Sequence, residues 1–272
     1  MDVLIWASEA CDTAKEIICK PENVVELFEH KEALFSIGPF DFTRTVFLIF
    51  LATLIVVASL YVAFRKPKIV PGKFGVVMES LVGFVRDDVA KGTIGPEGGR
   101  YVPYLLTIFL FILVGNLFEL TPLVNFPITS RMAIPAMLSV FTWLIFVIVG
   151  FAKNGFGYVW GIMWPKSVPI ALRWLVGLIE FVSTFLLRPL TLAVRLFANL
   201  VAGHLMLTLL LGSGWLFFAS VGDIGLRSII GLPWFAFGLL IFVFEFVVAV
   251  LQAYIFTLLS AVYIQTSVHP EH

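Results

Sequence analysis

The stretch TLAVRLFANLVAGHLMLTLLL, Thr191 to Leu211, holds a single arginine, Arg195, in a run otherwise apolar enough to cross a bilayer. As a helix it reaches about 30 Å, the thickness of the hydrocarbon core. An arginine there costs about 2.5 to 3.5 kcal/mol on insertion scales, so its presence argues for function. The composition around it is that of a lipid-solvated chain. Of 272 residues, 60% are hydrophobic and only 13% charged, where a soluble domain carries about a quarter charged. Mean hydropathy is +1.01. Lys plus Arg and Asp plus Glu each number 18, so there is no net field to draw nucleic acid or an acidic partner. Function has to come from local charges.

Other apolar segments recur on either side. Val46 to Phe64 (VFLIFLATLIVVASLYVAF) is a first span, and Arg65, Lys66 and Lys68 around Pro67 place its end on the cytoplasmic side. Phe74, Val77, Met78, Leu81 and Val85 then recur at helical spacing while Glu79, Arg86 and Asp87 fall elsewhere on the wheel, which predicts an amphipathic helix lying on the membrane. The turn-rich GTIGPEGGR ends it. Tyr104 to Leu120 and Pro135 to Phe151 are two more spans, joined by a short connection holding Pro122 and Pro127. Lys153, Lys166 and Arg173 return positive charge to the side where the first span ended. The last two segments, 168–211 and 232–267, are too long for a perpendicular crossing and are predicted to form a strongly tilted hairpin, with Gly212 to Gly231 as its turn.

The expected fold is therefore an all-α polytopic membrane protein with about five membrane-embedded helices and one interfacial amphipathic helix. Five crossings put the N-terminus outside and the C-terminus in the cytoplasm. Residues 1–45 form an extracytoplasmic leader and 46–272 a single membrane domain. The leader is acidic and has no basic start, so it does not read as a cleavable signal. Its two cysteines, Cys11 and Cys19, would lie about 12 Å apart on a straight helix and need a bend to pair; an inert pair is the simpler reading. No internal repeat supports an inverted-repeat transporter. Nothing in the sequence calls for a metal or a cofactor.

Polar residues inside the apolar segments are few: Asn116, Glu119 and Ser139 in the first hairpin, Glu180, Ser183, Arg188, Arg195, Asn199 and His204 on the first long segment, and Glu245 and Gln252 on the second. At about 100° per residue, Arg195 and Asn199 share a face and His204 points to the opposite one. Glu245 and Gln252, seven apart, lie nearly in line. An antiparallel pair of long helices would bring Glu245 toward His204 and Gln252 toward Arg195. His204 and the carboxylates can take and release protons, forming a relay with Asn116, Asn199 and water. Arg195 cannot, because a guanidinium stays protonated; it is a fixed charge and a barrier. Plainer readings stand beside these. Glu119 and Arg188 can reach the interface, Ser139 and Ser183 can back-bond to their own helices, Arg195 can pair with Glu180 or Glu245, and Asn199, Ala202 and Gly203 can admit a neighbouring helix. A secondary transporter for an anion and a purely structural membrane subunit remain alternatives on the residues alone.

RPLTLAVRLFANLVAGH (Arg188 to His204), EFVVAVLQAYIFTLLSAVYI (Glu245 to Ile264) and the hairpin motif Asn116-Leu117-Phe118-Glu119 together resemble subunit a of the bacterial F-type ATP synthase, over roughly Val46 to the C-terminus. The resemblance implies a non-catalytic, proton-conducting stator in the bacterial plasma membrane. Its partners would be a c-ring of proteolipid subunits, the subunit b peripheral stalk, the rest of the complex and the lipid bilayer. Arg195 would be the essential charge facing the ring carboxylate. Asn116, Glu119, Asn199, His204, Glu245 and Gln252 would line the outer half channel, and Glu180 and Ser183 the cytoplasmic one. Two departures matter. Some members carry the carboxylate where this chain has His204 and the histidine where it has Glu245. Glu180 also stands fifteen residues before Arg195, one more than the family spacing, which turns it relative to the arginine unless a local bulge compensates.

Overall fold

A computed structural model describes residues 33–37, 40–65, 72–121, 131–164, 169–220, 222 and 225–268. Two short antiparallel strands, β1 (Ala33–Ile37) and β2 (Phe40–Thr43), precede the membrane helices, with Ile37 opposite Phe40. Most of the described residues after them are helical. The helices are α1 (Arg44–Phe64), α2 (Lys73–Gly83), α3 (Val102–Leu120), α4 (Ala133–Asn154), α5 (Gly157–Met163), α6 (Ile170–Val182), α7 (Arg188–Ala219) and α8 (Gly231–Val268). A π-helical stretch, Phe84–Lys91, continues α2. A second, Ser183–Leu187, joins α6 to α7. Five helices among the described residues are long and apolar enough to cross a bilayer: Arg44–Phe64, Pro96–Leu120, Ala133–Asn154, Leu172–Ala219 and Ser228–Val268. This is the expected all-α polytopic fold.

The described prolines other than Pro189 fall at or near helix starts. Pro135 sits in the first turn of α4, where the missing N–H has no intrahelical acceptor in any case, and Pro103 and Pro233 follow the 3-10 stretches Pro96–Tyr101 and Gly225–Ile230 that lead into α3 and α8. Pro189 is different, since a continuous helix with a π stretch precedes it. It has no N–H to give the carbonyl of Phe185, and its ring would crowd that carbonyl; the π stretch Ser183–Leu187 widens the helix at this turn. Gly155 ends α4 with φ 55°, a conformation that suits a residue without Cβ, and its N–H donates to the Phe151 carbonyl.

The chain divides into two compact, interleaved units. One comprises residues 51–114, 132–197 and 251–272. Its core includes Val85, Val89, Leu105, Ile112, Phe146, Leu192, Leu196, Phe256 and Ile264. The Tyr104 hydroxyl donates to Thr142 Oγ1 at 2.8 Å, and Gly150 leaves room for the Tyr158 ring. Lys153 pairs with Glu97. The end of α8 is tied in by Asn154 Nδ2, which donates to the Ser267 carbonyl at 3.0 Å, and by Arg188, which donates to Thr266 Oγ1 and lies over the Tyr263 ring.

The other unit comprises residues 1–50, 115–131 and 198–250. There α7 and α8 approach through glycines: Gly214 faces the Phe235 backbone, Gly231 faces Phe217 and the Gly214 carbonyl, and Gly238 faces Leu211. Residues 212–219 are therefore helical, correcting the expectation of a turn from Gly212 to Gly231. A glycine that would break a helix in water instead lets two helices pack closely in a membrane. The connection holding Pro122 and Pro127, the basic residues Lys66, Lys68 and Lys166, and both cysteines lie outside the described residues. The expected surface helix is present as α2 with its π stretch: Met78 and Val85 are buried, Leu81 is half-buried, and Phe74 and Val77 are exposed.

Candidate functional site

Four expected residues come together in the second unit. Asn116 and Glu119 stand on the last turns of α3, His204 in the middle of α7 and Glu245 in the middle of α8. Glu119 and His204 are 5% and 3% exposed, and Asn116 and Glu245 are buried as well. His204 Nδ1 lies 3.9 Å from Glu119 Oε1, beyond direct hydrogen-bond reach. Asn116 Nδ2 donates to the Ala249 carbonyl at 3.2 Å, one turn past Glu245, and so fixes α3 against α8. Asn116 Oδ1 and Glu119 Oε1 have no hydrogen-bond partner among the described residues. Polar groups in that position carry a real cost, and in native proteins water usually offsets it.

Gly203 completes this arrangement. A Cβ there would lie 2.5 Å from Glu245 Oε2 and 2.8 Å from Oε1, so the carboxylate rests directly on the α7 backbone. Sequence reading marks Gly203 only as a site of close helix approach; what approaches is a carboxylate. Thr208 Oγ1 donates to the His204 carbonyl at 2.6 Å and leaves the imidazole nitrogens to other partners. Glu119 does not reach the interface, contrary to the plainer reading, because it faces α7 within the helix packing. Asn199 is half-buried in the same unit.

Arg195, Glu180, Ser183 and Gln252 belong to the first unit. Along α7, Arg195 is exposed, Asn199 half-buried and His204 buried. No carboxylate pairs with Arg195 among the described residues, so the structural ion-pair reading finds no support. Gln252 is buried, and its Nε2 has no partner among the described residues. Glu180 and Ser183 are half-buried. Ser139 back-bonds to the Ala136 carbonyl at 2.9 Å, as its plainer reading has it. Arg188 is half-buried and held by Thr266 and Tyr263 rather than reaching freely into solvent.

The π stretch lies between Glu180 and Arg195. On a regular α-helix their separation would set them about 60° apart in projection. One turn of i→i+5 bonding takes up one extra residue, which returns the pair to about 40° on the other side.

Five apolar spans with titratable groups inside them define a polytopic membrane protein of the kind that carries ions. The model of the ATP synthase A chain family matches residues 46–265. The chain is 41% identical to the ATP synthase subunit a of Frankia alni over 231 residues, covering 81% of this chain and 76% of that one. It is 36% identical to that of Maricaulis maris, covering 92% and 98%, and 33% identical to that of Cereibacter sphaeroides, covering 95% and 92%. The chain belongs to the ATP synthase A chain family, which makes it a membrane component of the Fo sector, concerned with hydrogen-ion transport and ATP synthesis.

Proposed function

We propose that this chain is the non-catalytic, proton-conducting stator of the Fo sector, with two offset half channels that meet a rotating c-ring at Arg195. The observation that carries this reading is the buried cluster of Glu119, His204 and Glu245 with the orphaned Oδ1 of Asn116. An inert membrane core has no use for three titratable groups within apolar helices. At 3.9 Å, a proton passes between Glu119 and His204 through one bridging water. Asn116 Oδ1 holds a further water in line, Asn199 extends the path, and Gln252 keeps the outer-half-channel role that the family resemblance implies. This is the outer half channel. That the histidine and carboxylate are exchanged relative to some relatives keeps the same pair of proton carriers.

Arg195 does not relay. Exposed on the opposite face of α7, it attracts the ionised ring carboxylate and stops a proton from passing straight across. On the cytoplasmic side Glu180 and Ser183 release the proton; the π stretch between Glu180 and Arg195 keeps the pair within about 40° in projection. Each proton descending the field contributes about 2.3 kcal/mol per 100 mV to rotation. The remaining partners are subunit b and the rest of the complex. The protein lies in a bacterial plasma membrane, with residues 1–45 outside, 46–272 as one membrane domain, and the C-terminus in the cytoplasm.

Glu119→Gln tests the relay. It keeps the volume and removes the titration, so proton permeability of the Fo sector in vesicles is expected to fall at least about 10-fold, the low end of what a positioned acid–base group contributes. Permeability equal to wild type in an assembled complex contradicts the assignment.

A further inference from the structure

The short helix α5 has two apolar faces, and only one is used within the protein. Tyr158 and Ile162 turn inward and are buried. Phe156, Trp160, Met163 and Trp164 fall at i, i+4, i+7 and i+8, one stripe of a helix, and all face outward; Phe156 is 92% and Trp160 70% exposed. Ile170 and Trp174, at the start of α6, are exposed as well. Of the seven tryptophans in the chain, three lie between 160 and 174, so the aromatic character is concentrated here. At seven residues α5 is about 10 Å long and cannot span a bilayer.

We infer that the outward stripe of α5, continued by Ile170 and Trp174, is an interfacial anchor seated at the headgroup–acyl boundary of the phospholipid leaflet on the Lys153 side. Four observations select lipid at that depth over water, a protein partner or the acyl core. Indole rings have an apolar body and one N–H that needs a wet partner, which suits the boundary rather than the hydrocarbon. The Lys153–Glu97 ion pair closes the end of α4 just before the stripe, half-exposed, so the aqueous side is adjacent. Lys153 and Arg173 bracket the stripe with positive charge, as anionic headgroups favour. The apolar span Leu172–Ala219 begins beside it, so the membrane surface passes through this level.

The anchor has a mechanical consequence. α5 is braced against α6 where Gly177 meets the Met163 backbone, too close for any side chain at 177. Interfacial aromatic and basic residues set the tilt of a long helix, and here the helix they hold leads through the π stretch to Arg195.

The test uses the complete ATP synthase complex in phosphatidylcholine–phosphatidylglycerol vesicles, its native cysteines replaced, with a fluorophore on Trp160→Cys or, in a second variant, on Phe156→Cys. A nitroxide carried near the lipid headgroup is expected to quench both at least about 2-fold more than a nitroxide at the acyl terminus or aqueous iodide. Dominant iodide quenching would place the stripe in water, dominant quenching by the deep nitroxide would place it in the acyl core, and no quenching would mean that a protein neighbour covers it. Each of these three results overturns the inference.

Discussion

Replacing Gly203 by alanine separates the role of this residue in positioning Glu245 from any role in stability. The new Cβ would sit 2.5 Å from Glu245 Oε2, where ordinary contact begins at 3.4 Å, so the carboxylate must withdraw by about 0.9 Å. What moves is the far end of a flexible side chain, so the cost to the fold is small, about 0.5 to 1.5 kcal/mol for an off-rotamer χ. The cost to function is larger. A misplacement of about 1 Å in a positioned group lowers rate by up to 10²-fold, and ATP-driven proton pumping by reconstituted vesicles is expected to fall by at least about 10-fold. Gly214→Ala is the contrast, since its Cβ would meet the Phe235 backbone N at 2.9 Å and Cα at 3.0 Å, atoms that cannot step aside. That variant is expected to lose thermal stability of the complex by about 1 to 3 kcal/mol. Glu245→Asp in the Gly203→Ala background shortens the side chain by one methylene and is expected to recover part of the pumping, a coupling that a double-mutant cycle reads directly. Wild-type pumping by Gly203→Ala, or a loss unchanged by Glu245→Asp, would show that Gly203 does not position the Glu245 carboxylate.

Arg188→Ala removes the hydrogen bond to Thr266 and the stacking on Tyr263; thermal unfolding of the complex should register a loss of about 1 to 3 kcal/mol, with Arg188→Lys recovering only part because an ammonium lacks the planar fork. Tyr158→Phe removes the contact with Ser267 Oγ at 3.1 Å, but that hydroxyl still donates to the Tyr263 carbonyl, so the same assay should show about 1 kcal/mol or less. Gly150→Ala is expected to cost more, since its Cβ would lie 2.7 Å from the Tyr158 ring. Burial raises the Tyr158 phenol above its ordinary value. The contribution of this group to stability is then complete below about pH 10 and is lost as pH rises through the raised folded value, which alkaline melts of wild type against Tyr158→Phe will reveal.

The spans were legible because lipid imposes one rule, about 20 apolar residues per crossing, and the apolar segments beginning near Val46, Tyr104 and Pro135 obey it. The opposed faces of Arg195 and His204 were legible because α7 is regular between them. The direct approach of Glu119 to His204 was not, since residues so distant in sequence share no period; their chemistry alone put both in one relay. Gly212 and Gly214 misled for a physical reason, as the glycine that signals a turn in water signals close packing in a membrane. The π stretch at Ser183–Leu187 had one local sign, Pro189, whose missing N–H disturbs the preceding turn. The exposed stripe of α5 escaped notice because Gly155, Gly157 and Pro165 mark its surroundings as loop, and seven residues are too few for a clear helical period.

On the proposed mechanism, proton-coupled rotation cannot do without the fixed charge of Arg195. The most direct test is ATP synthesis driven by an imposed proton gradient in vesicles holding the complex with Arg195→Ala. An exposed residue without a carboxylate partner among the described residues leaves insertion and assembly intact when removed, so a fully assembled complex whose synthesis falls to background is expected. Synthesis near the wild-type rate by that assembled complex would contradict it.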